Sequence, residues 1–306
     1  MSSFQKFLNV LVSGDDAGTI TRRKKRRQFL AFNIFKLITL IICLILVAIL
    51  AFIFVRGISV ISWEFIFGFP KEGMTEGGIW PAIVGTFCLV LGSCVFAFPI
   101  GVMSGIFMNE YLSDSIFRRI IRMMTNNLAG IPSIVFGLFG MAVFVNKLGF
   151  GDSILAGSLT LGILVLPVVI RSTEESLKAV DDTYRKASYG LGATKWQTIR
   201  KVVLPIAFPN IITGLILSIG RVSGETAPIL FTVAAYFLPK LPTSVFDQVM
   251  ALPYHLYVIS TSGTNVETSR PMAYGTALVL VVIILVVNLL AGWLRRYFGN
   301  KVKTNN

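Results

Sequence analysis

Residues 173–210 read TEESLKAVDDTYRKASYGLGATKWQTIRKVVLPIAFPN. This is a long polar stretch inside an otherwise apolar chain. Two helical stretches fit it, one on each side of Gly190-Leu191-Gly192. Ala193-Thr194-Lys195 opens the second, with Thr194 placed to cap it through its hydroxyl. Ile199, Val202 and Val203 recur at helical spacing and give that helix an apolar face. Pro205 is expected to end it, because proline has no N–H and its ring crowds the preceding turn. Gly192 supplies the left-handed conformation that a sharp turn between the two helices needs.

Outward from this loop the chain is uniformly apolar. Of 306 residues, 54% are hydrophobic and 14% charged, against about 25% charged in soluble domains. That balance excludes an ordinary soluble globule, a disordered chain and a small disulfide scaffold. Six apolar runs stand out at 31–55, 79–108, 128–145, 153–170, 206–235 and 272–293. Each is long enough, or nearly so, to cross a bilayer as a helix of about 20 residues. The predicted class is an all-α polytopic membrane protein with six transmembrane helices. The predicted organisation is a basic segment 1–30, a first transmembrane helix 31–55, an extracytoplasmic loop 56–78, a core 79–294 containing the cytoplasmic loop 171–205, and a basic tail 295–306.

The formal net charge is +13. Six crossings put both termini on one side, and the basic residues choose the side. Of the 28 Lys and Arg residues, only Arg56, Lys71, Lys147, Lys240 and Arg270 fall in loops of the opposite set, and Arg221 lies inside a run. Such a bias places both termini and the 171–205 loop in the cytoplasm. The run Arg22–Arg27 (RRKKRR) then reads as a topogenic signal resting on anionic headgroups, not a nucleic-acid site. The apolar run behind it is too long for a secretory signal. Cys43, Cys88 and Cys94 lie in apolar stretches without a CxxC or a Cys/His cluster, so neither a disulfide framework nor a metal site is expected. His255, the one histidine, falls in the loop 236–271 and is expected at the surface.

Charges at membrane depth are costly and commonly face a polar pathway or each other. Arg221 and Glu225 stand four residues apart in GRVSGETAPIL, on one helix face. They either neutralise each other or present Arg221 to a passing anion, with Glu225 orienting it. Ser223 and Thr226 add hydroxyls, and Pro228 frees backbone groups nearby. Arg171 closes the run 153–170, with Glu174 and Glu175 within reach. It either snorkels to the interface or offers a second guanidinium fork to an oxyanion. Gly85, Gly92, Gly101, Gly105, Gly137, Gly140, Gly162 and Gly214 read as helix-packing positions.

The loop resembles the EAA loop of ABC permeases of the type I importer class. Lys186-Ala187-Ser188 stands at the Glu-Ala-Ala start, Leu191-Gly192-Ala193 at the glycine, and Val203-Leu204-Pro205 at the ending. Lys186 and Ser188 depart from the pattern. GRVSGETAPIL is similar to the Gly-Glu-Thr-Ala-Pro motif of phosphate permeases. IPSIVFGLFG (131–140) resembles a stretch in the third span of the same permeases, and GGIWPAIVGT (77–86) resembles the entry to the transport core of the PstA-type subunit rather than its PstC-type partner. The likeness covers about 31–298. It implies a MetI-like transmembrane domain and a multi-pass permease of the cytoplasmic membrane. It also implies a role in inorganic phosphate import. The implied partners are a PstC-type permease, two PstB-type ATPases that use ATP and Mg, and a PstS-type phosphate-binding protein outside. The loop residues named above would dock the ATPase, and Arg221, Glu225, Arg171, Thr226 and Ser223 would line the path.

No GxxxxGK[ST] stretch is present, so no catalytic residue and no cofactor are expected in this chain, and ATP chemistry falls to a partner. The alternatives are an ABC permease for sulfate, molybdate or phosphonate, or a secondary anion transporter. The latter predicts inverted repeats, which the sequence does not display, and leaves Gly192 and Leu204-Pro205 without a purpose.

Overall fold

The computed structural model describes residues 14–112, 116–262 and 266–304. They are mainly helical. The chain divides into two compact units, Met1–Val55 and Arg56–Asn306.

The described part of the first unit belongs to one helix, α1 (Gly14–Gly57). From Gln28 to Gly57 it is long and apolar enough to cross a membrane. Its large apolar side chains from Phe29 to Val55 are exposed, apart from the half-buried Ile53, as suits a helix solvated by lipid. Residues 1–13 of the expected basic segment lie outside the described residues.

The second unit begins with α2 (Trp63–Phe67) and a two-stranded hairpin, β1 (Pro70–Lys71) and β2 (Glu76–Gly77). Then follow α3 (Trp80–Ile106), α4 (Ile116–Ala129), α5 (Ser133–Gly140) and α6 (Ile154–Lys178). The polar loop forms α7 (Asp182–Gly190) and α8 (Lys195–Thr198). The chain closes with α9 (Leu204–Ser223), α10 (Ala227–Leu230), α11 (Leu252–Thr261) and α12 (Val266–Thr304). Three π-helical turns, Phe107–Tyr111, Met141–Lys147 and Ile199–Val203, extend α3 and α5 and lead into α9. Among the described residues, and counting α1, five helices are long and apolar enough to span, and α4 with α5 makes a sixth if that bent pair is one crossing.

Glycines set how the helices approach. A Cβ at Gly101 would stand 2.6 Å from a Val169 methyl, and one at Gly105 would stand 2.7 Å from the Thr173 Cβ. Gly92 lies against Ser158 and Gly162 against Phe96. The two numberings rise together, so α3 and α6 run parallel. A parallel pair of spans needs a return crossing between them, and the bent pair α4–α5 is the apolar segment that lies between them in the chain. Gly214 of α9 meets Ser172, while Gly220 meets Asn288 and Thr213 accepts from Arg295. α9 therefore runs opposite to both α6 and α12.

The central core joins Leu89, Leu161, Leu164, Val222, Ile229 and Val233. A second cluster sits where α3 begins, around Phe65, Ile79, Met250 and Leu252. A third sits at the opposite end, where Leu177 and Val180 meet Val203, Ala207 and Ile211.

Four expectations are corrected. The run 128–145 is not one straight helix: α4 and α5 meet at a 98° bend. Pro132 excludes helical geometry at Ile131 and forces the break. The run 206–235 stops being a helix at Ser223, with Gly224 as its cap, and α10 restarts with Pro228 in its first turn. Pro205 does not end the loop helix. It enters the first turn of α9 directly after the π turn Ile199–Val203. The wider turn makes room for the ring and its missing N–H. The 236–271 region contains α11 and is not wholly loop.

Candidate functional site

The polar loop is built as a rigid elbow. Asp181 caps α7, accepting from the Thr183 N–H at 2.8 Å. Those bonds hold its carboxyl below the usual carboxylate range. Thr194 and Gln197 form a reciprocal capping box at α8. The Ser188 and Thr198 hydroxyls meet at 2.8 Å in the buried angle between the two helices. Gly192 takes φ +82° with nothing within 4 Å of where a Cβ would point. Leu191 beside it is 90% exposed. Lys186, Ala187 and Pro205 are exposed, Leu204 and Ala193 half-buried, and Ser188 buried. Ile199 and Val203 turn fully into the core. The elbow thus shows one apolar tip outward and roots the other face in the spans.

Arg185 fixes that root. Its Nε and one terminal nitrogen donate to the two Glu110 oxygens at 3.4 and 2.8 Å. The remaining donors reach the carbonyls of Val180 and Leu177, both at 2.8 Å, and Asp182 at 3.1 Å. Burial disfavours the guanidinium charge, but Glu110 and Asp182 more than offset this and raise its pKa above the ordinary value. The Lys195 ammonium lies 5.0 Å from the Tyr111 ring centroid.

Arg171 and Glu175 pair at 3.0 Å, and Arg171 also donates to Asn126 at 3.3 Å. The other carboxylate expected near Arg171, Glu174, is taken by different partners: Arg118 at 3.5 Å, Lys178 at 2.9 Å, and Arg122. Arg122, Arg171, Glu174, Glu175 and Lys178 line a cavity of about 160 Å³. Each of its cations already has a carboxylate.

Arg221 and Glu225 pair at 3.4 Å, their side chains 36% and 16% exposed. Arg221 is in the last turn of α9, whereas Glu225 lies beyond the Gly224 cap. The pair therefore closes the helix end instead of riding one helical face. Thr226 is half-buried. Ser223 is buried and donates to the Ile219 carbonyl at 2.8 Å, so its hydroxyl turns back onto its own helix. Ser172, next to Arg171, sits opposite Gly214. Arg221 is seven residues further along α9, about 10 Å at the helical rise. The structure therefore sets the two arginines at different depths and does not bring them into one cluster.

His255 is not at the surface, as expected of it, but 2% exposed on α11. Burial in apolar surroundings pushes its pKa down to about 4, and its Nδ1 has no hydrogen-bond partner. The tertiary docking of α11 onto α12 and the start of α3 encloses it. Among the described residues no cluster of His, Cys, Asp or Glu fits a metal ion, and Cys43, Cys88 and Cys94 are free thiols. Sequence reasoning missed the Glu110–Arg185 and Glu174 nodes. The one signal available was Glu110 at the end of a long apolar run.

Residues 97–304 match the family of binding-protein-dependent transport system inner membrane components. A probable ABC transporter permease protein, YqgI of Bacillus subtilis, is 35% identical over 92% of this chain and 99% of its own length. The phosphate transport system permease protein PstA of Mycobacterium leprae is 41% identical over 72% of this chain and 70% of its own. A bacterial alginate ABC transporter, solved with its alginate-bound periplasmic protein, contains a chain that superposes with a TM-score of 0.66 at 14% identity, covering 90% of this chain and 96% of that one. That likeness shows the fold, an ABC importer transmembrane domain. The chain belongs to the binding-protein-dependent transport system inner membrane components, and within them to the PstA-type ABC permeases.

Proposed function

We propose that this chain is the membrane-spanning half of an ATP-driven inorganic phosphate importer. It pairs with a homologous PstC-type permease. PstB-type ATPases drive it with ATP and Mg, and a PstS-type binding protein delivers phosphate from outside. The observation that carries the substrate is the Arg221–Glu225 pair, a salt bridge at 3.4 Å at the broken end of a membrane helix. A guanidinium held loosely by a carboxylate can exchange it for a passing oxyanion without trapping it. Relatives named as phosphate permeases, PstA of Mycobacterium leprae and of Yersinia pestis, are 41% and 34% identical to this chain over 72% of its length.

The elbow α7–α8 docks the ATPase, with exposed Leu191 as its tip. Closure of the ATPases on ATP pulls the elbow, and the two permeases switch between inward- and outward-facing states. The end of the bundle carrying Arg118, Arg122, Arg171, Lys178 and Lys195 faces the cytoplasm, as do both termini, because that end concentrates the positive charge.

The test is ³²P-phosphate uptake by proteoliposomes holding the permease pair and ATPase, with binding protein outside and ATP inside. Uptake that requires both and resists excess sulfate is expected. Uptake displaced by sulfate or molybdate would change the substrate to another oxyanion. Uptake driven by an ion gradient alone would overturn the importer reading and the role of the elbow with it.

A further inference from the structure

Arg185 has five N–H donors, and all five are used. Two go to Glu110 at the π-helical end of α3, two to the carbonyls of Leu177 and Val180 where α6 ends, and one to Asp182 at the start of α7. The Leu177 carbonyl belongs to the last turn of α6, where it also accepts from the Val180 N–H at 3.3 Å, and Val180 lies just beyond the Ala179 cap. Glu110 is 6% exposed and Arg185 13%. Glu110 is itself steadied by the Asn109 side-chain amide at 2.8 Å. One side chain thus ties two parallel membrane helices to the elbow. The Lys195–Tyr111 contact adds a second tie from α8 to the same π turn. On the other side the elbow continues through the π turn Ile199–Val203 into α9.

We propose that Glu110 and Arg185 are positioning residues that make α3 and α6 move as one body with the elbow, so that force applied at Leu191 reaches these two spans. This rests on the elbow being the ATPase contact. A fork saturated on three elements resists hinging between them, because any rotation breaks charge-assisted bonds in a largely buried place. Without the node, the elbow would keep its chain connections to α6 and α9 and the Lys195–Tyr111 contact, but no saturated fork would lock it to α3 and the end of α6. ATP would be hydrolysed and the movement of α3 and α6 would lag.

Two measurements test this. First, hydrogen exchange of the purified permease pair without ATPase: Glu110→Gln and Arg185→Lys are expected to speed exchange across residues 181–198 while the core of α3 and α6 stays protected. Unchanged exchange in both variants overturns the proposal. Second, ATP hydrolysed per phosphate taken up by the full complex in proteoliposomes: both variants are expected to raise the ratio roughly 2- to 30-fold, the span of coupling changes seen along such networks. Hydrolysis and uptake falling in parallel, with no change in the ratio, overturn the proposal, since that marks lost docking and not lost transmission. If the wild-type complex hydrolyses ATP but moves no phosphate, the functional reading falls, and the exchange experiment still decides the node.

Discussion

Arg221 and Glu225 meet at 3.4 Å across the end of α9, the arginine on the last turn and the glutamate beyond the cap. A half-exposed guanidinium at a helix break has a water-accessible face and a carboxylate that holds it in place. Replacing Arg221 with Ala or Gln removes the fork and is expected to abolish phosphate uptake while the complex still assembles. Normal uptake in either variant would remove Arg221 from the path. Glu225→Gln keeps the shape and frees the guanidinium. Its expected effect is tighter anion retention and slower release, seen as a lower KM with a lower maximal rate.

Local chemistry was legible and tertiary chemistry was not. Thr194 and Gln197 stand three residues apart, so the capping box shows in the string itself, and Gly192 announces a turn that the +82° φ satisfies. The glycines of α3 and α6 were readable as close-packing positions because small residues in apolar runs have few other uses. Glu110 and Arg185 are 75 residues apart, and nothing local ties a charge at the end of one run to a charge in a distant loop. Arg171 was legible as charged and placed, with Glu174 and Glu175 both in reach, but which of the two holds it was not. Glu175 on the same face wins it, while Glu174 is drawn to cations from α4 that only the fold brings near. Pro205 was misjudged because proline ends a regular α-helix, and the π turn before it is invisible in the residue pattern.

Gly192 carries a purely conformational constraint, since its surroundings are open. A β-branched residue there must either leave φ +82° or accept about 1–2 kcal/mol of strain. Gly192→Val is therefore expected to weaken ATPase binding by roughly 5- to 30-fold, measured by titrating the ATPase onto the reconstituted permease pair. Gly192→Asn, which tolerates the left-handed region, is expected to lose much less. Equal losses in both would place the effect in the side chain and not in the turn.

His255 makes stability depend on pH. Its folded pKa is about 4 against an ordinary value of 6.5. Between those two values the unfolded chain binds a proton that the folded chain refuses. Stability is therefore full above about 6.5 and falls as pH drops toward about 4, by about 3 kcal/mol for this group. Thermal unfolding of the detergent-solubilised permease pair at stepped pH is expected to show this slope. His255→Gln is expected to flatten it, and a slope that persists unchanged in the variant would assign it to other groups.

Gly85 approaches the Met250 carbonyl so closely that a Cβ would overlap it and would stand 2.9 Å from the Val249 Cβ. Backbone, not a flexible side chain, blocks the way. The Ala234–Val249 bridge and the bond from the Leu252 N–H to the Thr86 hydroxyl hold that backbone in place. Gly85→Ala is expected to cost about 1–3 kcal/mol through overpacking. The loss should appear as a lower unfolding temperature and protease cleavage in the segment 236–251.

Glu174 has a different energetic character. Its carboxylate is 6% exposed and is held by Arg118, Arg122 and Lys178, which come from two helices. Removing the negative charge leaves like charges crowded around a neutral amide, and Arg118 is itself only 13% exposed. Deleting one partner of a buried ion cluster is costly, but Arg122 and Lys178 are nearly half exposed and water screens them. The expected loss for Glu174→Gln is therefore about 1–3 kcal/mol, below the full cost of a buried orphan charge. The double variant Glu174→Gln with Arg122→Gln removes one of the repelling cations and is expected to recover part of that loss. A double variant less stable than Glu174→Gln alone would show that Arg122 is held chiefly by packing of its stem, and that the cluster's charge balance is not what binds α4 to α6.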